Sequence, residues 1–251
     1  MTYTMVLGAR GLKEMRRTPE ALLPTLFIPM FFLVVNVGQA GKIFPSASTG
    51  FLHGQSYAAF TLPSSLLLAA SFGSAALFLV EDIEGGYFDK LRATPVTRTA
   101  IVLGRLVAEA VKGFGIASLL VLLSLPFGIR IASNVLGFLL LILLASSWGV
   151  VYSGFMQLIA LKTRSAAATN SGGLIFFPLL FLTPNFVPRN MLTHAMEVAA
   201  TYNPVTYVME GMRSLILEDF NWGRIGAAYA VVAVAGAVML VLNVRMIRNY
   251  D

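Results

Sequence analysis

The chain has 251 residues, of which 57% are hydrophobic and only 12% are charged, and it contains no cysteine. Soluble domains carry about 25% charged residues, so this composition excludes an ordinary soluble fold. The lack of cysteine excludes disulfides, thiolate nucleophiles and cysteine metal sites. Several apolar runs approach the roughly 20 residues that span a bilayer, and they are continuous rather than alternating, which predicts membrane helices instead of barrel strands.

Residues 1–20 predict a basic amphipathic helix that lies in the headgroup plane. Its apolar face consists of Met5, Ala9, Leu12 and Met15, and its basic face of Arg10, Lys13 and Arg17. A disordered basic tail is the alternative. We expect no cleavable signal peptide, because the first apolar run is not followed by a small-residue cleavage pattern.

Six apolar segments follow, and they predict six transmembrane helices at 21–38, 56–80, 100–129, 135–161, 166–184 and 225–244. Small and hydroxyl residues in the second segment favour close helix packing, with the lining of a wet pathway as the alternative. In the third segment Arg105, Glu109 and Lys112 share one helix face. We expect them to form a surface salt-bridge ladder. The alternative is that they transmit motion from the connector that precedes this segment.

A charged connector, residues 81–98, separates the second and third segments. Its charges cannot lie in hydrocarbon, because each would cost several kcal/mol at bilayer depth. Gly85-Gly86 breaks the incoming helix, and Pro95 ends the connector's own helical turn. Between them, apolar residues recur at helical spacing: Tyr87, Phe88 and Leu91. The connector therefore predicts a short amphipathic helix at the membrane surface, suited to docking a soluble partner.

The distribution of basic residues predicts the orientation of the chain. Twelve lysines and arginines fall in the N-terminal stretch, the connector with the start of the helix after it (including Arg105), the loop at 162–164 and the C-terminus, against five on the opposite side. Lys112 is ambiguous. This excess places both termini and the connector in the cytoplasm, which agrees with an even number of spans.

Residues 185–223, on the predicted outer side, contain a second informative stretch. Asn203 is a favoured N-cap residue, and Pro204 is favoured at the first position of a helix, so the pair predicts a helix that begins at Pro204. An apolar face follows at Val205, Val208, Met212 and Leu215, and a polar face at Thr206, Glu210 and Arg213. The preceding segment MLTHAMEVAA predicts another short helix. We expect two short re-entrant helices in the outer leaflet, with surface helices as the alternative.

The order of these features resembles the type-2 permease subunits of ATP-binding-cassette (ABC) exporters, in the daunorubicin-resistance and nodulation-export branch. The connector matches that family at Glu81, Gly85, Leu91, Arg92 and Pro95, and the stretch NPVTYVMEGMR matches it at Asn203, Pro204, Tyr207 and Arg213. The resemblance covers nearly the whole chain, as one permease domain over 1–251. It implies an all-α polytopic membrane protein with an interfacial helix, a cytoplasmic coupling helix and external re-entrant helices.

The resemblance also implies the partners of the chain and its location. Two copies of a cytoplasmic ABC ATPase would bind ATP and Mg²⁺, and a second permease copy, identical or related, would complete the complex. The chain would bind no cofactor and no nucleic acid, would contact membrane lipid, and would lie in the bacterial plasma (inner) membrane. The sequence contains no phosphate-binding loop of its own, so another chain must supply the energy.

The resemblance and the motifs assign three groups of site residues. We expect ATPase coupling at Glu81, Glu84, Gly85, Gly86, Tyr87, Leu91, Arg92 and Pro95. We expect an external gate at Asn203, Pro204, Tyr207, Glu210 and Arg213. We consider Phe60, Ser64, Phe72, Phe176 and Phe177 as residues of a substrate pathway, although such phenylalanines more often pack against lipid or other helices.

The substrate class follows from the apolar character of the spans. No acidic residue is expected deep in a span, which favours a lipophilic drug or lipid over an ion. Export of a polysaccharide or lipo-oligosaccharide is the alternative, because aromatic residues also stack on sugars. An intramembrane enzyme is disfavoured, since the only histidines are His53 and His194 and no hydrolase or metalloprotease motif occurs. A passive channel or scaffold would not explain the docking helix.

Overall fold

The computed structural model describes residues 2–17, 19–72, 76–92, 94, 96–218 and 220–248. Within these residues the chain is helical and contains no strand. The helices are α1 Thr2–Arg17, α2 Pro19–Ala40, α3 Tyr57–Ser71, α4 Ala76–Glu84, α5 Tyr87–Arg92, α6 Arg98–Ser124, α7 Asn134–Thr163, α8 Ala166–Gly173, α9 Phe176–Phe181, α10 His194–Tyr202, α11 Pro204–Leu217 and α12 Trp222–Arg248.

Helix α3 forms the centre of the bundle, and every one of its residues is buried. Helices α2, α6, α7 and α11 surround it. A helix that is apolar or small on all sides is expected in such a position. The Thr61 hydroxyl donates to the Tyr57 carbonyl within the helix at 3.1 Å, and Trp148 Nε1 of α7 donates to Ser71 Oγ at 3.1 Å. The buried Ser65 hydroxyl has no hydrogen-bond partner among the described residues.

Four of the described helices, α2, α6, α7 and α12, are long and apolar enough to cross a membrane. The other two predicted spans are not continuous helices. In the second, α3 ends before Phe72, whose backbone is extended, and residues 73–75 lie outside the described residues. In the fifth, α8 ends after Gly172-Gly173 and α9 contains Pro178, a composition that weakens a helix. The count of six spans therefore stays a prediction.

Helix α1 confirms the predicted N-terminal helix and packs along the beginning of α6. The contact uses small residues: a Cβ added at Gly104 would lie 2.7 Å from Leu7 Cβ, and one added at Gly11 would lie 3.0 Å from Ala108 Cβ. Small residues allow two helix backbones to approach closely. The opposite side of α1 exposes Tyr3, Met5 and Val6. Its location in the headgroup plane stays a prediction.

The charged residues of α6 differ from the sequence prediction. Arg105, Glu109 and Lys112 are only 8%, 1% and 8% exposed, so they do not form a surface ladder. Lys112 and Glu109 form an ion pair inside the bundle. Sequence spacing places the three residues on one face, but it does not reveal that other helices cover that face. Glu109 is an acidic side chain within a candidate span, and it forms an ion pair with Lys112; the expectation that no acidic residue lies deep in a span stays a prediction.

Candidate coupling site and outer cavity

The connector folds as a helix–turn–helix. Helix α4 ends at Glu84, and the Gly85 amide still donates to the Glu81 carbonyl at 2.8 Å. Gly86 then adopts a left-handed backbone with φ of 70°, which glycine reaches without a Cβ clash. Helix α5 begins at the next residue. The predicted break at the glycine pair and the short helix after it are both confirmed.

Helix α5 is anchored by one side chain and exposes others. Phe88 is 1% exposed and belongs to the main apolar core, whereas Tyr87 is 37% exposed and Lys90 is exposed. Glu81 on α4 is also exposed. The predicted coupling residues Leu91 and Arg92 end α5, but their side chains lie outside the described structure, as does Pro95 entirely.

Asp82 joins three helices at the beginning of the connector. Its Oδ1 accepts a hydrogen bond from Arg10 Nη2 of α1 at 2.9 Å, and its Oδ2 accepts one from Arg105 Nη2 of α6. The Asp82 side chain is only 12% exposed. The Arg10 guanidinium also lies over the Tyr87 ring, 3.9 Å from its centre, in a cation–π contact. One carboxylate therefore holds α1, α4 and α6 together, and Arg10 extends this cluster to α5.

Glu84 of the connector contacts the beginning of α8, which follows the loop at 162–164. Its Oε1 accepts a hydrogen bond from the backbone amide of Ala166, the first residue of α8, at 3.0 Å. Ser165 Oγ accepts from the Ala168 amide at 3.4 Å. The first amides of a helix lack partners within the helix, and an anion is favoured at this end. Glu84 therefore helps to cap α8 across a large sequence distance.

Glu84, Gly85, Gly86 and Tyr87 lie at the turn between α4 and α5, and their role in ATPase coupling stays a prediction. The structure also adds three residues that were not assigned to this site: Arg10, Asp82 and Arg105. Their charges are visible in the sequence, but no periodicity relates α1 to a connector 72 positions away. Asp82 is one of three acidic residues within four positions, so the sequence does not distinguish it from Glu81 and Glu84.

The beginning of α11 has the predicted cap. Asn203 Oδ1 accepts from the Val205 amide at 3.0 Å, and Pro204 occupies the first helical position. Asn203 Nδ2 in addition donates to the carbonyls of Leu179 and Leu182, at 2.6 and 3.3 Å. The cap thus also attaches α11 to the end of α9.

Helix α11 is buried on both of its predicted faces. The apolar face is fully enclosed at Val205, Val208, Met212 and Leu215. On the polar face Thr206 and Arg213 are also buried, at 0% and 6% exposed, whereas the Glu210 side chain is 27% exposed. Tyr207 lies toward α10, where its hydroxyl donates to the Thr201 carbonyl at 2.8 Å. Helix α10, at His194–Tyr202, confirms the short helix predicted before it; whether the two are re-entrant stays a prediction.

Arg213 is bonded to backbone carbonyls rather than to a carboxylate. Its Nε donates to Phe60 at 3.0 Å, its Nη1 to Pro184 at 2.6 Å and its Nη2 to Asn185 at 3.0 Å. The guanidinium carbon lies 3.6 Å from the centre of the Phe60 ring. Arg213 therefore fastens α3 and the segment after α9 to α11.

A cavity of about 440 Å³ opens beside Arg213. Its charged and titratable lining residues are His53, Arg189, Glu210, Arg213, Glu218 and Arg224, and Phe51 and Phe60 add an aromatic wall. Arg189 pairs with Glu210 through two hydrogen bonds of 3.1 and 3.2 Å. Arg224 pairs with Glu218 at 2.8 Å, and His53 Nε2 lies 3.5 Å from the same carboxylate. We call this space the outer cavity, after the side of the membrane on which the charge distribution predicts it.

The residues considered for a substrate pathway take part in packing within the chain. Phe60, Ser64 and Phe176 are at most 2% exposed, while Phe72 and Phe177 are half-buried and meet edge to face at 5.7 Å. The Ser64 hydroxyl contacts Met209 Sδ at 3.9 Å. Their role in transport stays a prediction. Among the described residues, no three acidic or histidine side chains are grouped so that they could hold a metal ion.

Comparisons with known proteins agree with this architecture. The model of the family described as "ABC-2 type transporter" matches residues 2–217. The daunorubicin resistance ABC transporter permease protein DrrB1 of Streptomyces coeruleorubidus is 23% identical over 243 residues, covering 96% of this chain and 84% of that protein. The matched region includes α1, the connector, α10 and α11.

Proposed function

The chain belongs to the ABC-2 type transporter family, and we propose that it is the permease subunit of an exporter driven by a separate ATPase. Its sequence contains no phosphate-binding loop, so ATP and Mg²⁺ would bind to the partner. The excess of basic residues on one side supports a cytoplasmic location for both termini and the connector. In this arrangement the protein itself catalyses no reaction.

The contact of Asp82 with Arg10 and Arg105 is the observation that carries the proposed coupling role. A force applied by a partner to α5 would reach α4 through the tight turn at Gly86. From α4 it would pass to α1 and α6 through Asp82, and to α8 through Glu84. The exposed residues of α4 and α5, among them Glu81, Tyr87 and Lys90, supply the surface on which a soluble subunit would dock.

The proposed mechanism is alternating access. ATP binding closes two ATPase subunits, and the connector moves with them. A conformational equilibrium shifts only by the difference in a ligand's affinity for the two states. ATP-bound and ATP-free partners must therefore contact α5 differently. At the other end of the molecule, α10, α11 and their cap at Asn203 would form the outer gate.

A second permease copy, identical or related, is part of the proposal. Helix α2 exposes a row of apolar residues, Phe27, Phe31 and Val34, with the two rings stacked 6.0 Å apart. This face would contact either the second copy or lipid. The complex would lie in the bacterial inner membrane and contain two permeases and two ATPases.

For the substrate we propose a lipophilic drug or a lipid-like molecule. The spans are strongly apolar, and the buried Glu109 is neutralised by Lys112, so it offers no free charge to select a cation. The relative from Streptomyces is named for daunorubicin resistance, and we extend that class of substrate to this chain by analogy.

The experiment is a nanodisc pull-down of the permease with the ATPase encoded beside it. Wild type is compared with the double variant Leu91→Asp, Arg92→Glu on α5. We expect wild type to retain the ATPase and the variant to lose it. The substitutions replace an apolar residue and a basic residue of the proposed docking helix with acidic residues.

A matched control carries the same types of change in the loop on the predicted outer side: Ile43→Asp with Lys42→Glu. Ile43 is 69% exposed, so the fold tolerates the change. The control should bind the ATPase as wild type does. If wild type binds no ATPase, the exporter assignment is wrong; if both double variants lose it equally, the connector is not the dock.

A further inference from the structure

The outer cavity has an unbalanced positive charge. Two of its three arginines are neutralised by carboxylates, Arg189 by Glu210 and Arg224 by Glu218. Arg213 donates its hydrogen bonds only to neutral backbone carbonyl oxygens. Among the residues that the structure describes, no carboxylate forms an ion pair with it, and Glu210 acts on it only at longer range. The cavity therefore retains about one positive charge with His53 neutral.

Carbonyl oxygens satisfy hydrogen bonds but do not neutralise a buried charge. A guanidinium has five N–H donors, and the contacts of Arg213 use three of them, one on each nitrogen. One donor on each terminal nitrogen is thus left over. Arg213 also lines the cavity although it is only 6% exposed. Burial of a charge is costly unless an opposite charge accompanies it, so a bound anion would relieve this cost.

We propose that the outer cavity binds an organic anion, with Arg213 as the fixed positive group. The ligand would carry a phosphate or carboxylate, because a planar guanidinium binds such oxyanions through two parallel hydrogen bonds. This assignment goes beyond the exporter function and does not depend on it, since the permease alone contains the site.

The wall of the cavity indicates the rest of the ligand. Phe51 and Phe60 line it with ring centres 4.9 Å apart, and Phe60 already supports the guanidinium from one side. The volume of about 440 Å³ is in the range of small-molecule sites. An anionic group beside an aromatic wall suits a ligand whose charged end is attached to an apolar body. Such a ligand is either a soluble organic anion or the headgroup end of an anionic lipid.

The binding experiment uses phenyl phosphate as the probe and the full chain in nanodiscs without the ATPase. Isothermal titration is performed at neutral pH in phosphatidylcholine nanodiscs, with empty nanodiscs as the blank and benzyl alcohol as the neutral analogue. We expect saturable binding of phenyl phosphate and none of benzyl alcohol. A repeat with phosphatidylglycerol in the bilayer separates the sources: weaker probe binding identifies a lipid headgroup as the competitor, and unchanged binding identifies a soluble anion.

Three variants test the charge assignment. Arg213→Gln should weaken binding at least about tenfold, as expected for loss of a charged hydrogen-bonding partner. Arg213→Lys keeps the charge and should recover part of the affinity. Glu210→Gln removes a negative charge from the lining and should tighten binding about threefold or more. The matched control Arg130→Gln changes an exposed arginine that does not line the cavity, and it should bind as wild type does.

The Glu210→Gln variant keeps the test valid if Arg213→Gln does not fold. Because Glu210→Gln also frees Arg189, the double variant Arg189→Gln, Glu210→Gln is measured beside it. A gain of affinity that persists in the double variant is assigned to Arg213, and a gain that is lost there is assigned to Arg189. The proposal is overturned if wild type shows no saturable binding in either bilayer, if Glu210→Gln weakens binding, or if folded Arg213→Gln binds as tightly as wild type. None of these outcomes bears on ATPase docking, which the pull-down measures separately.

Discussion

Asp82→Asn is the most informative substitution in the cluster formed by Arg10, Asp82, Tyr87 and Arg105. The amide has nearly the same size as the carboxylate and keeps one carbonyl acceptor, so packing around α4 is preserved. What it removes is the negative charge between Arg10 and Arg105. We expect the association of α1, α4 and α6 to weaken while the rest of the fold is retained.

The magnitude follows from the burial of the two ion pairs. In the Arg105 pair the side chains are 10% and 12% exposed, so loss of the charge approaches the cost of breaking a buried pair, about 3–5 kcal/mol. Arg10 is 32% exposed, and solvent screening limits its contribution to about 1 kcal/mol or less. Both arginines keep further contacts, which reduce the total. We expect a loss of about 2–4 kcal/mol.

The assay compares ATP hydrolysis and substrate transport by the complete complex in proteoliposomes. Since 1.4 kcal/mol corresponds to a factor of ten, transport per ATP hydrolysed should fall at least about tenfold, while hydrolysis continues. Glu197→Gln on α10 is the matched control, because it makes the equivalent change at an exposed acid on the predicted outer side. If Asp82→Asn transports as efficiently as this control, the cluster does not transmit the movement.

Three further predictions concern single contacts. Glu84→Ala removes the cap at the Ala166 amide and should lower transport with little change in ATPase binding; transport equal to wild type would contradict its coupling role. Gly86→Val forces a β-branched residue into a left-handed turn and should cost about 1–2 kcal/mol, visible as a lower thermal midpoint of the purified permease. Asn203→Ala removes an N-cap worth about 0.5–2 kcal/mol together with two bonds to α9. It should destabilise the permease without affecting pull-down of the ATPase, and loss of the complex in a still-folded variant would refute this separation.

Features that depend on neighbouring residues were predictable from the sequence. The turn at Gly85-Gly86 and the Asn203–Pro204 helix start rest on backbone preferences that act over a few positions, and both are confirmed. The breaks in the second and fifth apolar segments also had local signals, namely Gly73 and the Gly172-Gly173 pair. The six predicted spans are based on hydropathy, and a continuous apolar run predicts a span whether or not its helix is interrupted.

Features that depend on partners distant in sequence were not predictable. The charged face of α6 was interpreted as exposed, since its spacing gives no information about helices that cover it. The same spacing on Thr206, Glu210 and Arg213 suggested a polar surface, whereas the structure buries Thr206 and Arg213 against other helices. In both cases the sequence defines a helix face, and tertiary packing decides what that face contacts.

The two polar clusters differ in a way that determines which end of the molecule can move. Along α11 and at its cap, Arg213 and Asn203 donate to five backbone carbonyls of α3 and of the α9 region, and both side chains are at most 6% exposed. Separation there would leave buried carbonyls without donors, at about 1–3 kcal/mol each. At the other cluster, the acceptors are the side chains of Glu84, which is exposed, and of Asp82, which is 12% exposed. Helix α5 is linked directly to this cluster through Gly86 and through Arg10 over Tyr87, so a force on α5 is expected to act there first and to reach α11 and its cap only through the helices between them.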